Sequence, residues 1–104
     1  YLFCTDEKIL EINRQFLNHD FYTDIIAFDY SEGNKISGDI FISLETVLSN
    51  SQQYQTSFDE ELHRVMIHGI LHLCGLRDKS EDEIKEMRKA EEEALRMLKK
   101  FLSI

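Results

Sequence analysis

The chain contains no proline at all. It has no repeats, no low-complexity tract and no composition shift that would mark a linker, so a proline-rich spacer between domains is excluded. Its two cysteines, Cys4 and Cys74, are too few for a disulfide-stapled secreted scaffold. Each is flanked by apolar residues and reads as a reduced, buried thiol, which suits a cytoplasmic protein. No apolar run approaches the roughly 18 residues that a bilayer span needs, so an integral membrane protein is excluded. The opening Tyr1-Leu2-Phe3-Cys4 turns polar at Thr5, and no signal peptide is expected. Basic residues are also scarce: 12 Lys and Arg against 20 Asp and Glu, a net charge of −8. The deficit lies in residues 1–78, with 13 acids and 5 bases, whereas residues 79–104 carry 7 of each. Strong sequence-independent binding to nucleic acid is disfavoured by such a charge. An acidic body can nevertheless hold a cation.

What is present is one domain, residues 1–104, with 42% hydrophobic residues and hence one modest core. Tyr1–Cys4 reads as a short buried strand. Because the chain opens with Tyr inside that strand, it is expected to be a piece of a longer one. Thr5 caps a helix with Asp6 and Glu7 at its positive end, and Ile9, Ile12, Phe16 and Leu17 form its apolar face. Ile25–Tyr30 and Ile36–Ile42 read as strands of a hairpin around Ser31-Glu32-Gly33-Asn34. Ser43 caps a helix to about Gln53, with Leu44, Val47 and Leu48 inward. Ser57 to Glu60 and Ser80 to Glu83 are capping boxes. The first opens an apolar helix that stops at Gly75, a C′ glycine. The second opens a helix burying Ile84, Met87, Ala94, Leu98 and Phe101. Early strands and late helices define an α+β fold, a small mixed sheet with helices packed on it.

The stretch with chemical content runs from Glu61 to Asp78. His68 and His72 are four residues apart, about 40° around one helix, so both imidazoles can reach one ion. Gly75 lets the chain turn back, and Asp78 can return to the same ion. The pattern is His-x-x-x-His-x-x-Gly-x-x-Asp. Two imidazoles and a carboxylate leave a fourth tetrahedral position open, as catalytic zinc sites do. A histidine pair at this spacing also arises without a metal. The glycine, the returning acid and the apolar residues Ile67, Ile70, Leu71, Leu73 and Cys74 favour a site, because imidazoles set among such residues need partners. His19 sits in a polar loop, and His63 lies about 140° from His68; both read as surface or structural. Arg64 faces the metal side and suits either a salt bridge to Glu60 or Glu61 or a phosphate contact. Glu61 suits either orientation of an imidazole or plain solvation. Zinc peptidases place their general base directly after the first histidine. Here that residue is Gly69, so a peptidase mechanism of that kind is not expected.

His68-Gly69-Ile70-Leu71-His72-Leu73-Cys74-Gly75 resembles the signature of the YbeY family, metal-dependent endoribonucleases that act as rRNA maturation factors. Thr23-Asp24-Ile25-Ile26-Ala27-Phe28 resembles that family's Thr-Asp-Val-Leu-Ser-Phe strand, and Gly38-Asp39-Ile40 its Gly-Asp-Ile strand. The resemblance covers nearly the whole chain; a further strand and helix that usually precede these motifs in the family are not found here. The family signature ends Gly-Tyr-Asp-His, whereas this chain reads Gly75-Leu76-Arg77-Asp78. A gap-free alignment puts Asp78 in place of the third histidine ligand. A rival alignment inserts one residue and puts Lys79 there, leaving two ligands. The family also tends to carry an RNA-contacting Arg where this chain has Leu17, so that contact is expected to be lost or moved, to Arg64 or Lys35.

The resemblance implies a zincin-like arrangement of the metal helix and endoribonucleolytic cleavage of single-stranded RNA in rRNA maturation and ribosome quality control. The implied partners are rRNA and the small ribosomal subunit, in the cytoplasm. His68, His72 and Asp78 would hold one zinc ion, which polarises a phosphoryl oxygen and activates water. Arg64 would stabilise phosphate charge as the catalytic cation, with no general base identifiable. Two other readings stay open: a ribosome-associated binding factor with a structural metal, and a metallohydrolase of another substrate.

Overall fold

The structure, a computed structural model, describes residues 1–16 and 24–102. Leu17, His19 and Thr23, named above, lie outside the described residues. The element order is β1 (Leu2–Cys4), α1 (Asp6–Phe16), β2 (Ile25–Asp29), β3 (Gly38–Ser43), α2 (Leu44–Gln53), α3 (Phe58–Leu73) and α4 (Glu81–Leu102). The fold is α+β. Its sheet has the order β1-β3-β2, with β3 parallel to β1 and antiparallel to β2.

The period-two alternation of the strands divides the apolar residues between two layers. Ile40 and Ile42 of β3 and Ile25 of β2 face α2 and α3, packing with Val47, Val65 and Leu73. Their neighbours Phe41, Ile26 and Phe28 point the other way and pack with Ile9 and Ile12 of α1. The register that puts Ile25 opposite Ile42 and Ile26 opposite Phe41 keeps each set on one face. The sheet is therefore sandwiched, with α1 on one face and α3 on the other.

Polar residues fix where α1 and α2 begin. Thr5 Oγ1 accepts from the Lys8 backbone N–H at 3.2 Å, and Ser43 Oγ accepts from that of Thr46 at 3.3 Å. The Asp6 carboxylate accepts from the hydroxyls of both Ser43 and Thr46. Asp6 N–H donates in turn to Glu45 Oε1 at 2.9 Å. Parallel pairing of β1 with β3 puts both helix starts at one end of the sheet, and these bonds tie them together.

Several expected core residues are not buried. α1 and α3 lie mainly over β2 and β3 rather than β1, so Tyr1, Leu2 and Phe3 are about half exposed. α2 meets the core through one narrow ridge, Val47 and Ser51, leaving Leu44 and Leu48 partly exposed. α4 runs antiparallel to α3: His68 faces Glu91 and Glu60 faces Lys99. With 22 residues against 16, α4 begins well past the C-terminal end of α3 and finishes about level with its start. Ile84 lies on that overhang and Phe101 in the last turn of α4, and both are exposed, whereas Met87 is buried. Phe16 is exposed as well. Cys4 and Cys74 are free thiols, and Cys74 is exposed because it is the C-cap residue of α3 rather than part of its inner face. Among the described residues no helix is long and apolar enough to cross a membrane.

Candidate metal centre

α3 carries two adjacent ridges, each stepping by four residues. Glu61, Val65, Gly69 and Leu73 are buried, and this ridge packs on the sheet. Arg64, His68 and His72 form the next ridge, half-buried at the margin of the core. The helix is thus not apolar all round: Ile70 and Cys74 face outward. Gly69 explains how close the inner ridge comes. A Cβ there would stand 2.9 Å from Ile25 Cδ1 and 3.0 Å from Ile40 Cγ2. The position that holds a glutamate in zinc peptidases is here turned into the sheet, with no room for a side chain.

Ser57 starts α3, its Oγ accepting from the Glu60 N–H at 3.1 Å. Gly75 ends it with a φ of +100°, a value open to glycine and costly for other residues. Gly75 N–H bonds to His72 O and Leu76 N–H to Leu71 O, both at 3.0 Å, the two bonds of a Schellman turn. This turn brings the carbonyl of Leu76 to 3.0 Å from His72 Nδ1. The ring therefore donates from Nδ1, and Nε2 keeps its lone pair. The chain then returns as the spacing predicts, and Asp78 arrives beside both rings.

His68 Nε2 and His72 Nε2 are 2.9 Å apart, and Asp78 Oδ2 lies 3.3 Å from the first and 3.4 Å from the second. Ligand atoms about 2.05 Å from a tetrahedral zinc ion stand roughly 3.3 Å from one another. The three donors therefore have the spacing of one face of such a tetrahedron, and the residues present fit the ion. The Asp78 side chain is 40% exposed, which leaves the cluster open to solvent. Lys79, the rival candidate, carries an amine that is protonated at neutral pH and has no lone pair to offer an ion.

Sequence reasoning missed Glu91. This carboxylate is buried on α4, with Oε1 3.5 Å from Nδ1 of His68. It is the chief cause of a raised His68 pKa; burial opposes it, and Asp78 and Asp24 add to it. A signal existed, because Glu91 is the one acid at core spacing in the series Ile84, Met87, Glu91, Ala94, Leu98. Glu61 plays neither of the roles considered for it. It is buried, its Oε2 is 4.0 Å from Arg64 Nε, and burial pushes its carboxyl upward. Arg64 stands one turn before His68 but lines a neighbouring depression with Tyr54, Thr56, Glu61, Arg88 and Glu92. His63 lies off the site ridge, and Lys35 lies in the hairpin turn, bridged to Glu32.

The fold and the cluster define a class: a small α+β protein with two imidazoles and one carboxylate poised for a metal ion. The chain belongs to the Endoribonuclease YbeY family, whose model matches residues 1–99. It is similar to Endoribonuclease YbeY of Bacteroides fragilis, with 65% identity over 99 residues, 95% of this chain and 71% of that protein. The protein of the same name from Parabacteroides distasonis is 62% identical over 98 residues, 94% of this chain and 69% of the relative. That of Porphyromonas gingivalis is 58% identical over 102 residues, covering 98% and 68%. Among solved structures, the solution structure of TM1509 from Thermotoga maritima matches with a TM-score of 0.61 at 28% identity, over 94% of this chain and 68% of that one.

Proposed function

We propose that the chain is a metal-dependent endoribonuclease that hydrolyses phosphodiester bonds of single-stranded RNA in the cytoplasm. In this reading it acts on rRNA at the small ribosomal subunit, in maturation and quality control. Its relatives carry the name endoribonuclease. The observation that carries the metal dependence is the triangle of His68 Nε2, His72 Nε2 and Asp78 Oδ2, with edges of 2.9 to 3.4 Å. These three residues would hold one zinc ion. When bound, zinc supplies Lewis acidity at a phosphoryl oxygen and lowers the pKa of water. The Leu76 carbonyl and Glu91 hold the two rings in the ligating tautomer, and Arg64 supplies positive charge toward phosphate. The Gly69 packing argues against a peptidase of the usual zinc type.

The test pairs elemental analysis of the purified protein with cleavage of a labelled single-stranded RNA, before and after chelation. Stoichiometric zinc, with cleavage lost on chelation and restored by zinc, is the expected result. RNA binding without cleavage, with a metal that does not exchange, would mean a binding factor with a structural ion instead.

A further inference from the structure

A depression of about 320 Å3 is lined by Tyr54, Thr56, Glu61, Arg64, Arg88 and Glu92. The residues come from three places: the C-cap of α2 and the loop after it, the first half of α3, and the middle of α4. Two guanidinium groups therefore line one groove from two helices. Arg64 is anchored from within by Glu61, whose side chain is only 7% exposed. The contact is to Nε, while the two terminal nitrogens carry four of the five N–H donors. Arg88 has no hydrogen-bond or ion-pair partner among the described residues, although Glu92 stands at the i+4 position where such pairs form. Tyr54 stands in the wall, 63% exposed.

The groove is not remote from the metal candidates. Arg64 precedes His68 by four residues on the same ridge, about 6 Å along the helix axis. Arg88 precedes Glu91 by three, and Glu91 faces His68. The two arginines thus stand on the same pair of helices, one turn from the His68–Glu91 contact.

A planar guanidinium grips phosphate through two parallel hydrogen bonds. An exposed aromatic ring offers a stacking surface to any base. The two occur together here in a groove of nucleotide size, whose lining also holds Glu61 and Glu92, on a chain whose net charge of −8 disfavours polyanions overall. We propose that this groove is a nucleotide subsite for the RNA strand beside the metal centre, with a phosphodiester held between Arg64 and Arg88 and a base stacked on Tyr54. The identity of the strand rests on the endoribonuclease reading. An acidic peptide would use the arginines but has no base for Tyr54.

The experiment measures binding of a fluorescent, cleavage-resistant 2′-O-methyl oligoribonucleotide to the full chain at several salt concentrations. Arg88→Gln is expected to weaken binding about tenfold and to lower the salt slope by about one. Arg88→Lys keeps the slope and loses part of the affinity, because a point charge cannot grip phosphate twice. Tyr54→Ala weakens binding at least fivefold without changing the slope. Lys89→Gln, one residue further on α4 and outside the groove, binds like the wild type. Circular dichroism melts on each variant exclude unfolding as the cause. Wild-type affinity and slope in Arg88→Gln overturn the proposal. So does a polyglutamate peptide that displaces the RNA as well as unlabelled RNA does, since the groove then reads charge alone. RNA bound through Arg88 but never cleaved upholds the groove and sinks the nuclease reading. RNA cleaved normally, with Arg88→Gln indistinguishable from wild type, does the reverse.

Discussion

Glu91 on α4 faces His68 on α3, carboxylate Oε1 to ring Nδ1, across 3.5 Å. Both side chains are largely shielded, 9% and 23% exposed. A carboxylate at Nδ1 keeps the proton on that nitrogen, frees Nε2 for an ion and raises the basicity of the ring as a ligand. The contact also welds the last helix to the site, so the placement of His68 depends on a residue 23 positions away in the chain.

Glu91→Ala should weaken zinc binding by about 10- to 100-fold, the usual cost of losing a partner behind a ligating histidine. Glu91→Gln keeps an acceptor but not the charge, and its affinity should fall between the two. Competition against a chromophoric chelator measures all three. Equal affinities would mean that Glu91 serves packing only.

The Ser80–Glu83 capping box gives a pH prediction. Glu83 N–H donates to Ser80 Oγ at 3.1 Å, and Ser80 N–H donates to Glu83 Oε1 at 3.0 Å. These bonds with Ser80 hold the Glu83 carboxyl below its ordinary value, with smaller help from Arg77. A depressed acid favours the folded state above its unfolded pKa, and that contribution is lost as pH falls through the folded pKa. The melting temperature of the wild type should therefore drop on acidification below the ordinary glutamate range. In Glu83→Gln that drop should be shallower, because the neutral amide has no such proton to gain. Thermal melts of both across the acid range decide it; parallel curves would remove the capping box from the acid sensitivity.

Gly69→Ala sets two effects of opposite sign against each other. Alanine inside a helix gains about 1 kcal/mol over glycine. Its Cβ, however, would press on Ile25 Cδ1 at 2.9 Å and Ile40 Cγ2 at 3.0 Å. Ile25 can yield at its flexible tip. Ile40 is 3% exposed and its Cγ2 methyl is fixed directly to the branched Cβ, so it cannot yield cheaply. Overpacking of this kind costs about 1–3 kcal/mol, so the net change should be a destabilisation of about 1 kcal/mol. Urea unfolding checks the sign; a more stable variant would show that α3 can back away from the sheet.

The elements were legible wherever chemistry was local. Thr5, Ser43, Ser57 and Ser80 announce helix starts through hydroxyls that meet backbone N–H groups three residues on. Gly75 announces a stop, and His68, His72 and Asp78 announce the cluster through spacing alone. What stayed hidden depends on which elements become neighbours. β1 reads as buried from Leu2 and Phe3, but α1 and α3 settle mainly over β2 and β3 and leave it half uncovered. Ile84 keeps helical spacing yet is exposed, because α4 begins beyond the end of α3, and Phe101 is exposed in the last turn of α4. Glu91 and Arg88 gain their meaning only when α4 folds back along α3, a tertiary event that no local pattern encodes.

Asp78 carries the sharpest test, because two alignments of its segment predict different ligands. Its carboxylate stands 3.3 Å and 3.4 Å from the two Nε2 atoms. Two imidazoles alone hold a divalent ion poorly, since both are neutral and only two coordination positions are filled. Asp78→Ala should therefore lose most zinc affinity, at least tenfold, comparable to His72→Ala. Asp78→Asn separates charge from shape: it keeps an oxygen at the same place without the negative charge, so affinity should fall but remain above that of alanine. Asp78→His restores a third nitrogen donor and should retain the ion. Lys79→Ala should bind as the wild type does, because a protonated amine has no lone pair with which to ligate. Zinc dissociation constants for these variants, measured on protein shown to be folded by circular dichroism, settle the assignment. Wild-type affinity in Asp78→Ala would remove the carboxylate from the site and require a third donor from another part of the chain.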